Sequence, residues 1–236
     1  MRESIASAVL SFFLFRQEGG HNLTILWDWN GTLLDDVDLT VQCEQEALRQ
    51  FGYPAFTKEE YLLHFDFPVM DFYRKHGVRE SDCETVAAYW YDLYVRGFRG
   101  AHLRPDALEV LNRFQSAGVP QAIISAARHD TLLEQTACFP ALAGHFLCIQ
   151  GIAAASGSSK IHTAVDLLHR LQWNPGTTWL IGDSLHDLET ASALQCRCIL
   201  VSGGHQHENR LIGNGVPVTD NLSQAADLLL TEVSHE

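Results

Sequence analysis

Asp28 closes the short apolar run Leu23-Thr-Ile-Leu-Trp27, and Asn30-Gly31-Thr32 forms the turn just beyond it. Ser125 closes a second such run, Gln121-Ala-Ile-Ile. Asp183, with Ser184 and Asp187 after it, closes a third, Thr177-Thr-Trp-Leu-Ile-Gly182. Lys160 follows Gly157-Ser158-Ser159. Two carboxylates, a hydroxyl and a lysine converging on one edge form a site for phosphate and a hard cation. Mg2+ favours that set, taking one or two carboxylates and completing its shell with water and phosphate oxygens.

A sheet must bring these residues together. From Arg104-Pro105 onward, helical and extended patterns alternate. Strands are predicted at 121–125, 145–149, 177–182 and 196–202. Helices are predicted at 107–114, from 132 onward, at 158–171, 188–194 and 221–230. Alternation of this kind implies right-handed crossovers and a doubly wound, mostly parallel α/β sheet with helices on both faces. In such a sheet, ligands bind beyond the carboxyl ends of the strands, where Asp28, Ser125 and Asp183 stand. Between the first strand and this series, residues 36–101 have a helical pattern throughout. This predicts a core of 23–35 and 102–236, interrupted by an all-helical cap of 36–101 and preceded by an extension of 1–22.

Composition limits the partners. The chain has 236 residues with 29 acidic and 16 basic side chains, a net charge of −13. The 46% hydrophobic content excludes an intrinsically disordered chain. The acidic surplus argues against a nucleic-acid binder and against a polybasic membrane anchor. Lys58, Lys75 and Lys160 are the chain's three lysines, so an anionic ligand must be met at few points or through a metal. Six scattered cysteines without a C-x-x-C pair read as small buried hydrophobes in a reducing compartment. The apolar run 5–15 is too short to span a bilayer, and no small-x-small cleavage site follows it. It is expected to be a docking helix or an upstream mis-assigned start, with a signal peptide the less favoured reading, in a cytoplasmic protein, monomeric or homodimeric.

Asp28-Trp-Asn-Gly-Thr-Leu, Ile123-Ile-Ser125, Lys160 and Gly182-Asp-Ser-Leu-His-Asp187 resemble, in order, the four motifs of the haloacid dehalogenase superfamily. The resemblance extends from residue 23 to about 230. It includes the inserted cap and Val201-Ser-Gly-Gly-His205, and it is to phosphoglycolate-phosphatase-like members with a small helical cap. It implies a Mg2+-dependent phosphatase for a small phosphorylated metabolite, with Asp28 as nucleophile forming an aspartyl-phosphate. Mg2+ would sit between Asp28, the backbone carbonyl of Asn30 and Asp183. Asp187 would join these at the metal, or orient Lys160 or a metal-bound water. Ser125 and Lys160 would hold the phosphoryl oxygens, with Thr32 in the same turn. In the cap, His64-Phe-Asp-Phe-Pro-Val-Met-Asp-Phe-Tyr-Arg-Lys-His76 offers Arg74 or Lys75 to the substrate. Trp90, Tyr91 and Trp179 read as core.

Asn30 departs from the family pattern. The family's phosphatases carry an aspartate there, which protonates the leaving oxygen and then activates water. An amide transfers no proton, and such acid–base work contributes roughly 10²–10⁴-fold. The chain is therefore expected to be a slower enzyme, to use a substitute such as His186 or His129, or to bind a phosphorylated ligand without turnover. A metal-independent dehalogenase, whose family members also lack that aspartate, fits less well with the acidic pair Asp183 and Asp187.

Overall fold

The computed structural model describes residues 23–153 and 159–233, and the docking helix or signal expected within 1–22 lies outside them. Eight strands and ten α-helices follow one another among the described residues. The central sheet has six parallel strands. β1 (Thr24–Trp27) lies between β4 (Gln121–Arg128) and β6 (Thr178–Gly182). β5 (Cys148–Ile152) lies outside β4, and β7 (Arg197–Val201) then β8 (Val218–Thr219) lie outside β6.

Alternation along β1 assigns its two faces. Ile25 and Trp27 pack with Val110, Leu111 and Phe114 of α5 (Ala107–Ser116) and with Leu222, Ala225 and Leu229 of α10 (Leu222–Val233). Leu26 packs on the opposite face with Leu167 and Leu168 of α7 (Lys160–Leu171) and Ala191 and Leu194 of α8 (Leu185–Leu194). A strand covered on both faces is buried at every position, as all four β1 residues are, and its one hydroxyl, on Thr24, is hydrogen-bonded to the Thr178 hydroxyl at 2.8 Å.

A two-stranded antiparallel ribbon, β2 (Leu34–Asp35) with β3 (His102–Leu103), brackets the helical segment. Between its strands run α1 (Val37–Gln50), α2 (Lys58–His64), α3 (Val69–Lys75) and α4 (Glu80–Gly97), which share an apolar cluster including Val41, Leu48, Phe72 and Val86. α6 (His129–Ala137) and the short α9 (Glu208–Leu211) complete the set. None of the described helices is long and apolar enough to cross a membrane. All six cysteines are free, and Cys138 is exposed where a buried residue was expected.

Two strands differ from their expected bounds by more than one residue. β5 begins at Cys148 instead of His145, because Gly144 (φ +85°) sustains a turn and pairing to β4 starts only at Leu147 N–H to Gln121 O. β4 continues past Ser125 to Arg128 through a bulge between Ile124 and Arg128. A bulge bends the strand and re-aims its side chains.

Candidate active site

β1 delivers Asp28, which is 6% exposed, to the carboxyl edge of the sheet, and its backbone N–H is held by Ile181 O of β6 at 2.9 Å. β6 ends at Gly182, and Asp183 follows. Lys160 opens α7 and is also buried, although a cation at a helix N-terminus opposes the helix dipole. Its ammonium is offset by two carboxylates, donating to Oδ1 of Asp28 and to Oδ1 of Asp187. Thr32 donates to Asp183 Oδ1 at 2.9 Å and lies 3.3 Å from Asp28 Oδ2. Gly31 (φ +74°) turns the chain so tightly that a Cβ there would meet Asp183 Oδ2 at 2.5 Å. Arg104 ties this turn to the loop after β7, donating to Gly31 O at 3.0 Å and to Ser202 O at 2.7 Å.

Ligand oxygens of Asp28, Asp183 and Asp187 lie within 4.8 Å of one another, all buried. Burial raises the Asp28 pKa. Lys160 opposes that rise, while Asp187 and Asp183 add to it. Asp183 is raised as well, again chiefly by burial. Burial also acts on Asp187, but Lys160 outweighs it and holds that carboxyl low. Burial pulls Lys160 down, yet its two acidic partners prevail and hold it protonated. Three carboxylates against one ammonium leave excess negative charge, and hard oxygen donors with that excess fit a divalent cation.

The structure brings together most, but not all, of the residues picked from the sequence. Asp28, Asn30, Ser125, Lys160 and Asp183 line one cavity of about 260 Å³. Thr32 and Asp187 stand beside it without lining it, and Thr32, expected on the substrate, is engaged by carboxylates instead. The second oxygen of Asp187, expected on a metal, caps α8, accepting from Ser184 N at 3.0 Å, Ser184 Oγ at 2.6 Å and Asp183 N at 3.2 Å. Arg74 is outside the cavity lining. Its guanidinium lies on the exposed face of α3 and α4, paired with Asp71 and Glu80. The cation that joins Lys160 at the cavity is Arg128, brought there by the β4 bulge, paired with Asp130 at 2.7 Å and held over the Tyr91 ring at 5.4 Å. His186 lines the cavity, stacked on Phe67 at 4.6 Å, whereas His129 accepts from Gly151 N at 3.2 Å outside it. Trp90 and Tyr91, expected in the core, line the cavity because α4 forms part of its wall.

One cluster was not singled out in the sequence. Asn30 Nδ2 donates to Asp36 Oδ2 at 2.7 Å and to the Tyr94 oxygen at 2.8 Å, and Tyr94 OH donates to the same Asp36 oxygen at 2.7 Å. Asp36 Oδ1 receives Gly31 N–H at 2.8 Å and lies 3.2 Å from His205 Nε2. His205 Nδ1 lies 3.0 Å from Tyr61 OH. Burial would raise Asp36, but His205 and its hydrogen bonds hold the carboxyl below its usual range. Burial would likewise lower His205, but Asp36 and then Asp183 push it up to about 9. A buried ion pair therefore stands directly behind the Asn30 amide. The doubled acid Asp35-Asp36 and the histidine of Ser202-Gly-Gly-His205 were its visible traces in the sequence.

The chain is similar to known proteins over most of its length. Residues 25–201 match the model of the haloacid dehalogenase-like hydrolase family. The tyrosine-protein kinase PtkA of Mycobacterium tuberculosis is 28% identical over 184 residues, 77% of this chain. The chain spans 62% of that relative's length. A phosphoglycolate phosphatase of Vibrio parahaemolyticus is 25% identical over 221 residues, 87% of this chain and 95% of the relative. Among solved structures, a predicted phosphatase from Clostridium acetobutylicum superimposes with a TM-score of 0.79 at 16% identity, over 90% of this chain and 100% of that one. A haloacid dehalogenase-like family hydrolase from Streptococcus pneumoniae gives 0.78 at 16% identity, over 88% and 99%. With its motifs at the sheet edge and three quarters of its length inside the family match, the chain belongs to the haloacid dehalogenase-like hydrolases.

Proposed function

We propose that the chain is a Mg2+-dependent phosphatase that hydrolyses a small phosphorylated metabolite through an aspartyl-phosphate on Asp28. The observation that carries this reading is Asp28 in contact with Lys160 and beside Asp183, at the floor of a cavity lined on its other side by the helical segment. The phosphatase names of the Vibrio relative and the Clostridium neighbour support it. In this reading 23–35 and 102–236 are the core that holds the chemistry, and 36–101 is a cap that encloses the leaving group.

An Asp28 carboxylate oxygen bonds to phosphorus as the ester P–O bond breaks, and the leaving oxygen takes a proton from water, because the Asn30 amide has none to transfer. Water then cleaves the acyl phosphate, releasing phosphate and restoring Asp28. Lys160 offsets the charge of both the carboxylate and the phosphoryl group, and Asp187 fixes its position. Ser125, with its Oγ already accepting from Ala127 N at 3.1 Å, keeps its hydroxyl proton for a phosphoryl oxygen. Asp28, Asp183 and the Asn30 carbonyl would hold Mg2+. Bound there, it supplies the positive charge that lets an anionic carboxylate approach an anionic phosphate.

Asn30 favours a second reading, in which the chain binds a phosphorylated ligand with little or no turnover. Hydrolysis of para-nitrophenyl phosphate separates the two. Under the first, the wild type hydrolyses it with Mg2+ and Asp28→Ala abolishes the activity. Saturable binding of phosphomonoesters with no turnover across a panel of them establishes the second.

A further inference from the structure

The cavity above Asp28 also contains an acid that the phosphoryl chemistry does not use. The buried face of α1 comprises Val37, Thr40, Val41, Cys43, Glu44, Ala47 and Leu48, in which Glu44 takes a position that packing would fill with an aliphatic side chain. Glu44 is 2% exposed and lines the cavity. Its oxygens accept from Tyr73 OH at 2.9 and 3.2 Å, and among the described residues no lysine, arginine or histidine pairs with it. Burial pushes its pKa up to about 8, with the neutral Tyr73 hydroxyl only partly opposing the rise.

A carboxyl at a core position without a counter-charge costs stability, and that cost is relieved when a cation joins it. The surrounding wall is aromatic, formed in part by Tyr61, Phe65, Trp90 and Tyr94. Ring faces attract a desolvated cation through their quadrupole, and a nearby carboxylate supplies the opposite charge. Lys160 and Arg128 line the same cavity, each already paired with an acid, Asp28 and Asp130, whereas Glu44 enters it from α1 with no cation beside it among the described residues.

We propose that Glu44 and the rings around it bind an ammonium group on the leaving alcohol, so that the substrate is the phosphomonoester of an amino alcohol, protonated or quaternary. This rests on the phosphatase reading for the Asp28 end of the cavity. An ester whose leaving alcohol bears a carboxylate, as phosphoglycolate does, leaves Glu44 protonated, gains no ion pair there and must bury its own charge against the rings, so it is disfavoured.

Three esters test it in the presence of Mg2+ at neutral pH: phosphocholine, its uncharged carbon isostere dimethylbutyl phosphate, and phosphoglycolate. The expected kcat/KM for phosphocholine exceeds that for the isostere by roughly tenfold or more, with phosphoglycolate lowest. Glu44→Gln is expected to bring the first two within about twofold of each other, mainly through KM. Equal handling of phosphocholine and its isostere by the wild type overturns the ammonium assignment, as does a preference that survives Glu44→Gln. Should para-nitrophenyl phosphate be hydrolysed in either case, the phosphatase reading stands without it. Should nothing be hydrolysed, calorimetric titration with the same three esters reads the discrimination directly. Tighter phosphocholine binding that depends on Glu44 then upholds the site, and its absence removes it.

Discussion

Asn30 faces an anion across 2.7 Å, and Asp36 is kept ionised by His205 and by the Tyr94 hydroxyl. The aspartate expected at position 30 of a family phosphatase would therefore meet a carboxylate instead of donating to one. Asn30→Asp is expected to cost on the order of 2 kcal/mol, since a charge-assisted hydrogen bond becomes a like-charge contact. Adding Asp36→Asn restores a donor–acceptor pair with the roles exchanged and leaves a carboxyl where the leaving oxygen needs one. The double variant removes the like-charge contact but leaves His205 without its ionised partner, so it is expected to stay less stable than the wild type while hydrolysing para-nitrophenyl phosphate on the order of 10² times faster. Thermal unfolding and initial rates for the two variants check this. An unchanged melting temperature for Asn30→Asp, or a double variant no faster than the wild type, would show that Asp36 does not govern position 30. Asp36 could not be interpreted from sequence, although it stands beside a legible motif. Its state depends on Tyr94 and His205, 58 and 169 residues further along the chain.

Among the elements, β1 and β6 were legible because each is a short apolar run buried on both faces and ended by an aspartate. The helices of the insert were legible from their periodicity. The two-residue strands of the ribbon and β8 were too short to leave a pattern, and the β4 bulge that brings Arg128 to the cavity is a property of pairing with β5, not of local sequence. α1 carries a testable consequence of its own stripe. The folded-state pKa of Glu44, about 8, lies above its unfolded value near 4.5, so the native state holds a proton that the unfolded chain has released. Its contribution to stability is complete below about pH 4.5 and is lost progressively as pH rises through about 8, at up to about 1.4 kcal/mol per pH unit. The ionisable groups facing it, Tyr73, Tyr61 and Cys43, are all raised above their usual values and stay neutral in this window. Glu44→Gln carries no such proton. Its stability relative to wild type is expected to rise steadily from about pH 5 to about pH 8 in urea unfolding. Parallel pH profiles for the two proteins would mean that Glu44 is already ionised or hydrated in the folded chain.

At the scale of the whole molecule, the helical insert is fastened to the core beside the site. Gln206 Nε2 donates to Phe65 O at 3.2 Å, His207 N to Leu62 O at 2.9 Å, and Arg210 to Phe65 O and Asp66. Tyr61 and His205 meet across the same boundary. These contacts close the cavity over carboxylates whose mutual repulsion adds to the burden of a chain at −13. The net charge disfavours polyanions, and at the site it favours a cation that relieves the repulsion. Mg2+ is therefore expected to raise the melting temperature, since a ligand at 100 times its Kd stabilises the native state by about 2.7 kcal/mol. Asp183→Asn should lose that gain. The pH dependence has a definite sign. Asp28 and Asp183 are raised in the metal-free chain, so protons compete with the metal, and the shift should be larger near pH 8 than near pH 6. Calorimetry in buffers of different ionisation enthalpy should report protons released on binding. A Mg2+ response that is absent, that persists in Asp183→Asn, or that grows as pH falls would remove the metal from this site and leave the excess carboxylate charge to be balanced by the ligand alone.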